Sequence, residues 1–179
     1  SDLIEARPTL CPQVKELVDF LASFKYPPLS EVGAEKARET IRRMAATQNP
    51  TPLFEVENRN IPGKGGEIPV RIYRPEASGT LPALVYCHGG GWVLCDLDTH
   101  DESCRRLAKL AECVVVSVDY RLAPEHPFPA PFDDAYSALQ WVHTQTETLQ
   151  IDPKKISIGG DSAGGNIAAG VALKARDES

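Results

Sequence analysis

The chain has 179 residues, enough for one domain with a substantial apolar core. Its 42% hydrophobic and 25% charged content is that of an ordinary globular protein. A net charge of −6, with no Lys/Arg cluster longer than a pair, argues against a nucleic-acid or anionic-membrane surface, and no apolar run approaches the length of a membrane span.

Residues 1–8 have no basic stretch followed by an apolar one, so they do not read as a secretory leader. Residues 1–50 read as helical. Leu10, Val14, Leu17, Val18 and Leu21 share one helical face. Tyr26-Pro27-Pro28-Leu29 breaks that helix, and Ser30 is placed to cap the next, where Ala34, Ala37, Ile41, Met44 and Ala45 form a second stripe. The pattern fits either two core-packing helices or a lid over an apolar pocket. The texture changes at Asn49-Pro50-Thr51-Pro52. Residues 53–61 alternate as a strand, 62–66 form a turn and 67–74 a second strand, which together predict an antiparallel hairpin.

Three further strands are predicted at 83–87, 113–118 and 155–158. The first two are almost wholly apolar, as expected for strands covered on both faces of a parallel sheet. Helical patterns fill 99–111, 133–146 and 163 to about 174. Alternating strands and helices predict an α/β fold with a mainly parallel sheet, which places its chemistry at the carboxyl ends of its strands. The cysteines, Cys11, Cys87, Cys95, Cys104 and Cys113, are odd in number and lack CxxC spacing. They read as reduced packing residues of a cytoplasmic protein, and no clustered Cys/His set suggests a metal.

Two glycine-rich motifs sit at predicted strand ends. Gly160-Asp161-Ser162-Ala163-Gly164 fits a nucleophile elbow. That sharp strand-to-helix turn projects the Ser162 hydroxyl above the sheet, and Gly160 and Gly164 leave room where backbones pass closely. His88-Gly89-Gly90-Gly91-Trp92 follows the strand at 83–87. Consecutive glycines there let bare N–H groups approach a substrate and stabilise a developing oxyanion. The expected donors come from Gly89, Gly90 and Gly91, joined by Ala163, the residue after the nucleophile. His88 reads as a loop brace rather than a base, and Asp161 as a structural hydrogen-bonding residue. Trp92 either lines the pocket or packs. Asp133 and Asp134 read as helix-capping carboxylates. There is no GxxxxGK[ST] or GxGxxG loop for a nucleotide.

These motifs, with Asp119-Tyr120-Arg121-Leu122-Ala123-Pro124-Glu125-His126-Pro127-Phe128-Pro129-Ala130 between them, closely resemble the bacterial hormone-sensitive-lipase-like carboxylesterases of the α/β-hydrolase fold. The resemblance covers about residues 67–179. It implies a serine esterase acting on small-molecule esters of short to medium acyl chains, with no metal or organic cofactor. It also implies that residues 1–50 are an N-terminal helical cap and 51–179 the N-terminal part of the catalytic domain. Glu125 and His126 become loop-bracing residues. In that family the triad acid and histidine follow the serine. Here His88, His100, His126 and His143 all precede Ser162. The triad acid and histidine are therefore expected beyond this chain's end, with the remainder of the domain needed for activity; a homodimer stays open. The alternatives are a non-catalytic ligand-binding protein of the same fold, like the gibberellin receptor, or an inactive truncated paralogue.

Overall fold

The computed structural model describes residues 10–23, 27, 29–45 and 49–178. The chain divides into two compact units, Ser1–Gly33 and Ala34–Ser179. The first contains helices α1 (Pro12–Ser23) and α2 (Leu29–Val32). The apolar stripe predicted around α1 is helical, but α1 buries none of its own residues, and Leu10, Val14, Leu17, Val18 and Leu21 stay 42–56% exposed. Ser30 lies within α2 instead of capping the following helix, and the predicted break at 26–29 falls partly outside the described residues.

The second unit begins with α3 (Ala34–Ala45), whose Ala37 is buried. The hairpin follows as β1 (Glu55–Gly63) and β2 (Gly66–Arg74), paired antiparallel from Glu55↔Arg74 to Gly63↔Gly66. Then come β3 (Leu81–Cys87), α4 (Asp101–Ala111), β4 (Val114–Val118), α5 (Ala130–Thr144), β5 (Ile151–Gly160) and α6 (Ala163–Asp177). The five strands form one sheet in the order β1-β2-β4-β3-β5. β3 runs parallel to both β4 and β5, and β2 joins β4 antiparallel.

All five residues of β4 are buried, because helices cover both faces of the sheet. On one face Val70, Val85, Val116 and Val118 pack with Ala135, Ala138 and Val142 of α5 and Ile167 and Val171 of α6. On the other, Tyr73, Tyr86 and Val115 pack with Cys104 and Ala108 of α4. Cys87, Cys104 and Cys113 are buried, but Cys11 is exposed and Cys95 half-buried, so packing describes three of the five cysteines.

Two boundaries differ from those predicted. β5 extends over the charged Asp152-Pro153-Lys154-Lys155, which lies along an edge strand and can face solvent. α5 begins at Ala130, with Pro131 in the first turn, where its missing N–H costs nothing. Asp133 and Asp134 therefore lie inside the helix and do not cap it. Asp134 is 1% exposed and binds Arg121 instead.

Candidate active site

The register of β3 and β5 pairs Cys87 with Gly160, the last residue of each strand. The segments leaving those strands, His88–Trp92 and Asp161-Ser162, therefore emerge side by side at one end of the sheet. Ser162 has φ 49° and ψ −118°, well outside the ordinary regions for a side chain with a Cβ. It is exposed, and its hydroxyl makes no capping bond to α6. The turn is tight because its neighbours touch. A Cβ at Gly164 would overlap the carbonyls of Cys87 and His88, and one at Gly160 would overlap Cys87 and Gly164. Ala163 opens α6, so its own N–H and the helix dipole favour negative charge beside Ser162.

Opposite the elbow, Gly90 has φ 118°, and a Cβ there would overlap the Leu94 carbonyl. The loop turns back on itself, with Val93 and Leu94 N–H both donating to the Gly90 carbonyl at 3.1 and 2.8 Å. The Gly89 N–H donates to Asp161 Oδ1 at 2.9 Å. That amide is engaged, so Gly89 leaves the expected set of oxyanion donors. The N–H groups of Gly90, Gly91 and Ala163 donate to no group among the described residues.

Asp161 joins the two motifs. Besides Gly89 it accepts the Tyr86 hydroxyl at 2.8 Å, and His100 Nε2 lies 3.4 Å from the same oxygen. Burial pushes its carboxyl up, but the Tyr86 hydroxyl, His100 and the Gly89 N–H outweigh this and hold it below its ordinary value. Sequence reasoning missed Tyr86 and His100; no motif marks either, and they lie 75 and 61 positions from Asp161.

His88 is fully buried. Its Nδ1 donates to the Gly89 carbonyl at 2.7 Å, its ring stacks on Tyr120 at 4.3 Å, and Nε2 has no hydrogen-bond partner among the described residues. Burial lowers its pKa, so the ring is neutral. Among the described residues no hydrogen bond joins a histidine to Ser162; His100 instead meets Thr99 Oγ1 at 3.0 Å. His126 and His143 are exposed. Glu125 makes a two-pronged contact with Arg38, at 2.9 and 2.7 Å.

An apolar groove of about 670 Å³ is lined by Gly91 and Trp92, by the 123–132 segment and by α6. Phe128, Phe132, Ile167 and Leu173 line it. Trp92, left open between two roles, lines this groove and is 42% exposed. Among the described residues no group of three or more His, Cys, Asp or Glu side chains could hold a metal, and no helix is long and apolar enough to cross a membrane.

A strained serine between a parallel strand and a helix, facing a glycine loop at the end of the neighbouring strand, defines an α/β protein built around a nucleophile elbow. The chain belongs to the alpha/beta hydrolase fold family, whose model matches residues 84–179. It is 45% identical over 174 residues to the carboxylesterase NlhH of Mycobacterium tuberculosis, covering 96% of this chain and 54% of that protein. It is 49% identical over 134 residues to the carboxylic ester hydrolase LipN of the same organism, covering 74% of this chain and 36% of that one. The solved structure of a hyperthermophilic esterase from the archaeon Pyrobaculum calidifontis superposes with a TM-score of 0.87 at 45% identity, covering 94% of this chain and 55% of the other. These similarities bear out the resemblance to the hormone-sensitive-lipase-like esterases implied by the motifs. The chain spans about half the length of the curated relatives it matches.

Proposed function

We propose that the protein hydrolyses carboxylic esters of short to medium acyl chains through an acyl-enzyme on Ser162. One observation carries this reading: the exposed, strained Ser162 stands beside a glycine loop whose Gly90 and Gly91 amides, like that of Ala163, are uncommitted. The Ser162 oxygen adds to the ester carbonyl carbon, and those amides receive the oxyanion. The serine proton passes to a histidine base, which returns it to the departing alcohol. Water, activated by the same base, then cleaves the acyl-enzyme and restores Ser162. The scheme uses no metal or organic cofactor.

None of the four histidines in the chain hydrogen-bonds Ser162: His88 and His100 have other partners, and His126 and His143 are exposed. The proposal therefore assigns base and acid to residues outside these 179. The groove, with Trp92 in its lining, supports an apolar acyl or alcohol group. Residues 1–50 complete the proposal as a helical cap, and the free cysteines support a cytoplasmic setting.

The test uses a fluorophosphonate probe and intact mass. The full-length protein should take up one probe, lose labelling on Ser162→Ala, and turn over p-nitrophenyl butyrate. Neither labelling nor turnover would sink the esterase reading in favour of a ligand-binding role.

A further inference from the structure

We infer that α3 is a strap that holds the oxyanion loop in its working shape, with Arg38 as a positioning residue for the proposed reaction. The inference rests on the esterase reading for its kinetic consequence, but its structural basis is separate. The loop is an unfavourable piece of backbone. Gly90, Gly91, Trp92 and Cys95 all have positive φ, at 118°, 62°, 61° and 71°. Such residues cost about 1–3 kcal/mol each when they carry a side chain, and they persist only where the surroundings over-determine them. The loop supplies part of that determination itself, through the two bonds to the Gly90 carbonyl and those joining Asp96 to Asp98 and Thr99.

The rest comes from outside. The Ala123 N–H donates to the Trp92 carbonyl at 2.8 Å. Arg38 Nε donates to the next carbonyl, Val93, at 2.7 Å. The same guanidinium donates to the Ala123 carbonyl at 2.9 Å and grips both Glu125 oxygens. Arg38 thus ties the oxyanion loop to the 121–129 segment through four acceptors, with its side chain only 17% exposed. One helical turn along α3, Arg42 pairs with Asp96, whose Oδ1 accepts the N–H groups of Asp98 and Thr99 at 3.1 and 3.0 Å. Arg42 is 57% exposed, so this second tie is the weaker one.

Oxyanion donors act only when already aimed, and displacements of about 0.5 Å remove much of their effect. Releasing the strap therefore weakens stabilisation of the transition state more than binding of the ester. Arg38→Ala should lower kcat about 10- to 100-fold while KM changes less than about threefold. The affinity for a trifluoromethyl ketone, which forms a tetrahedral adduct on serine, should fall in parallel with kcat/KM. Arg42→Ala should cost less than about fivefold. Lysine offers one point charge where a planar fork is needed, so Arg38→Lys should recover only part of the loss. A second readout needs no turnover: amide hydrogen exchange at residues 90–96 should quicken in Arg38→Ala while the strand amides of β3 and β4 stay protected.

If Arg38→Ala does not fold, Arg38→Lys carries both measurements. Unchanged loop exchange, or a raised KM at constant kcat, overturns the strap. Failure of the unaltered protein to take up the fluorophosphonate is a different result: it removes the esterase reading, and loop exchange still decides whether α3 holds the loop.

Discussion

Asp161 shows how much one side chain next to a nucleophile can determine. Its Oδ1 accepts the Gly89 N–H and the Tyr86 hydroxyl, so one acceptor on the elbow holds both the glycine loop and the end of β3. Gly89 is buried and Tyr86 is 7% exposed, so neither donor has easy recourse to water. Asp161→Ala strands both, at about 1–3 kcal/mol for each unsatisfied group. Asp161→Asn keeps an oxygen in the same place. The alanine variant should therefore lose about 2–4 kcal/mol in urea unfolding and most of its fluorophosphonate labelling rate, and the asparagine variant much less of each. Equal losses in the two variants would show that charge, not the acceptor, matters at this position. Sequence alone identified Asp161 as a hydrogen-bonding residue but not its partners, because they come from β3 and the start of α4.

At the scale of elements, the segment between β4 and α5 is held at its base by one ion pair. Asp134, on the second turn of α5, accepts the Arg121 backbone N–H at 3.0 Å and two guanidinium nitrogens at 2.9 and 2.8 Å. The carboxylate is 1% exposed and the arginine side chain 31%. Removing only the arginine leaves a buried charge with one backbone partner. Arg121→Met should cost about 2–4 kcal/mol, less than a fully buried pair because solvent reaches the arginine side. In a double-mutant cycle with Asp134→Leu, the pair of changes should cost less than the sum of the two alone. Strict additivity would show that the two side chains are independent. This pair was hidden in the sequence by a boundary. Asp133-Asp134 looks like a capping dipeptide when the helix is started at 133, and Pro127, Pro129 and Pro131 discourage starting it sooner. Where periodicity was strong the reading held: the hairpin, β3, β4 and α4 lie within about two residues of prediction. The two glycine motifs were legible because close backbone approach restricts composition. The strap from α3 was not, since Arg38 is a charged residue at the edge of an apolar stripe and its carbonyl partners leave no trace in residue type.

For the molecule as a whole, burial of acidic groups sets a pH dependence with two opposing parts. Asp96 is buried, Asp101 half-buried and Asp161 exposed; desolvation opposes the charge of each, but arginines at Asp96 and Asp101, and hydrogen-bond donors with His100 at Asp161, outweigh it and hold each below its ordinary value. Their contribution is present above the ordinary carboxylate pKa and is lost as pH falls through the folded values. Asp119 behaves in the opposite way. Burial, reinforced by Asp96, raises its pKa to about 6 despite Arg42 and Arg71 nearby. The folded protein thus holds this proton when the unfolded chain has already released it. Stability from Asp119 is fully present below about pH 4 and is lost as pH rises to about 6, by up to about 3 kcal/mol. Asp119→Asn removes the titration. In urea unfolding followed from pH 4 to pH 7, the variant should match the unaltered protein at the acid end. It should become progressively more stable between about pH 4 and 6 and keep that advantage at pH 7. A variant that is less stable at pH 7, or a gap that does not widen over this interval, would mean that the Asp119 carboxylate is satisfied in the folded state and that Arg42 and Arg71 outweigh its burial.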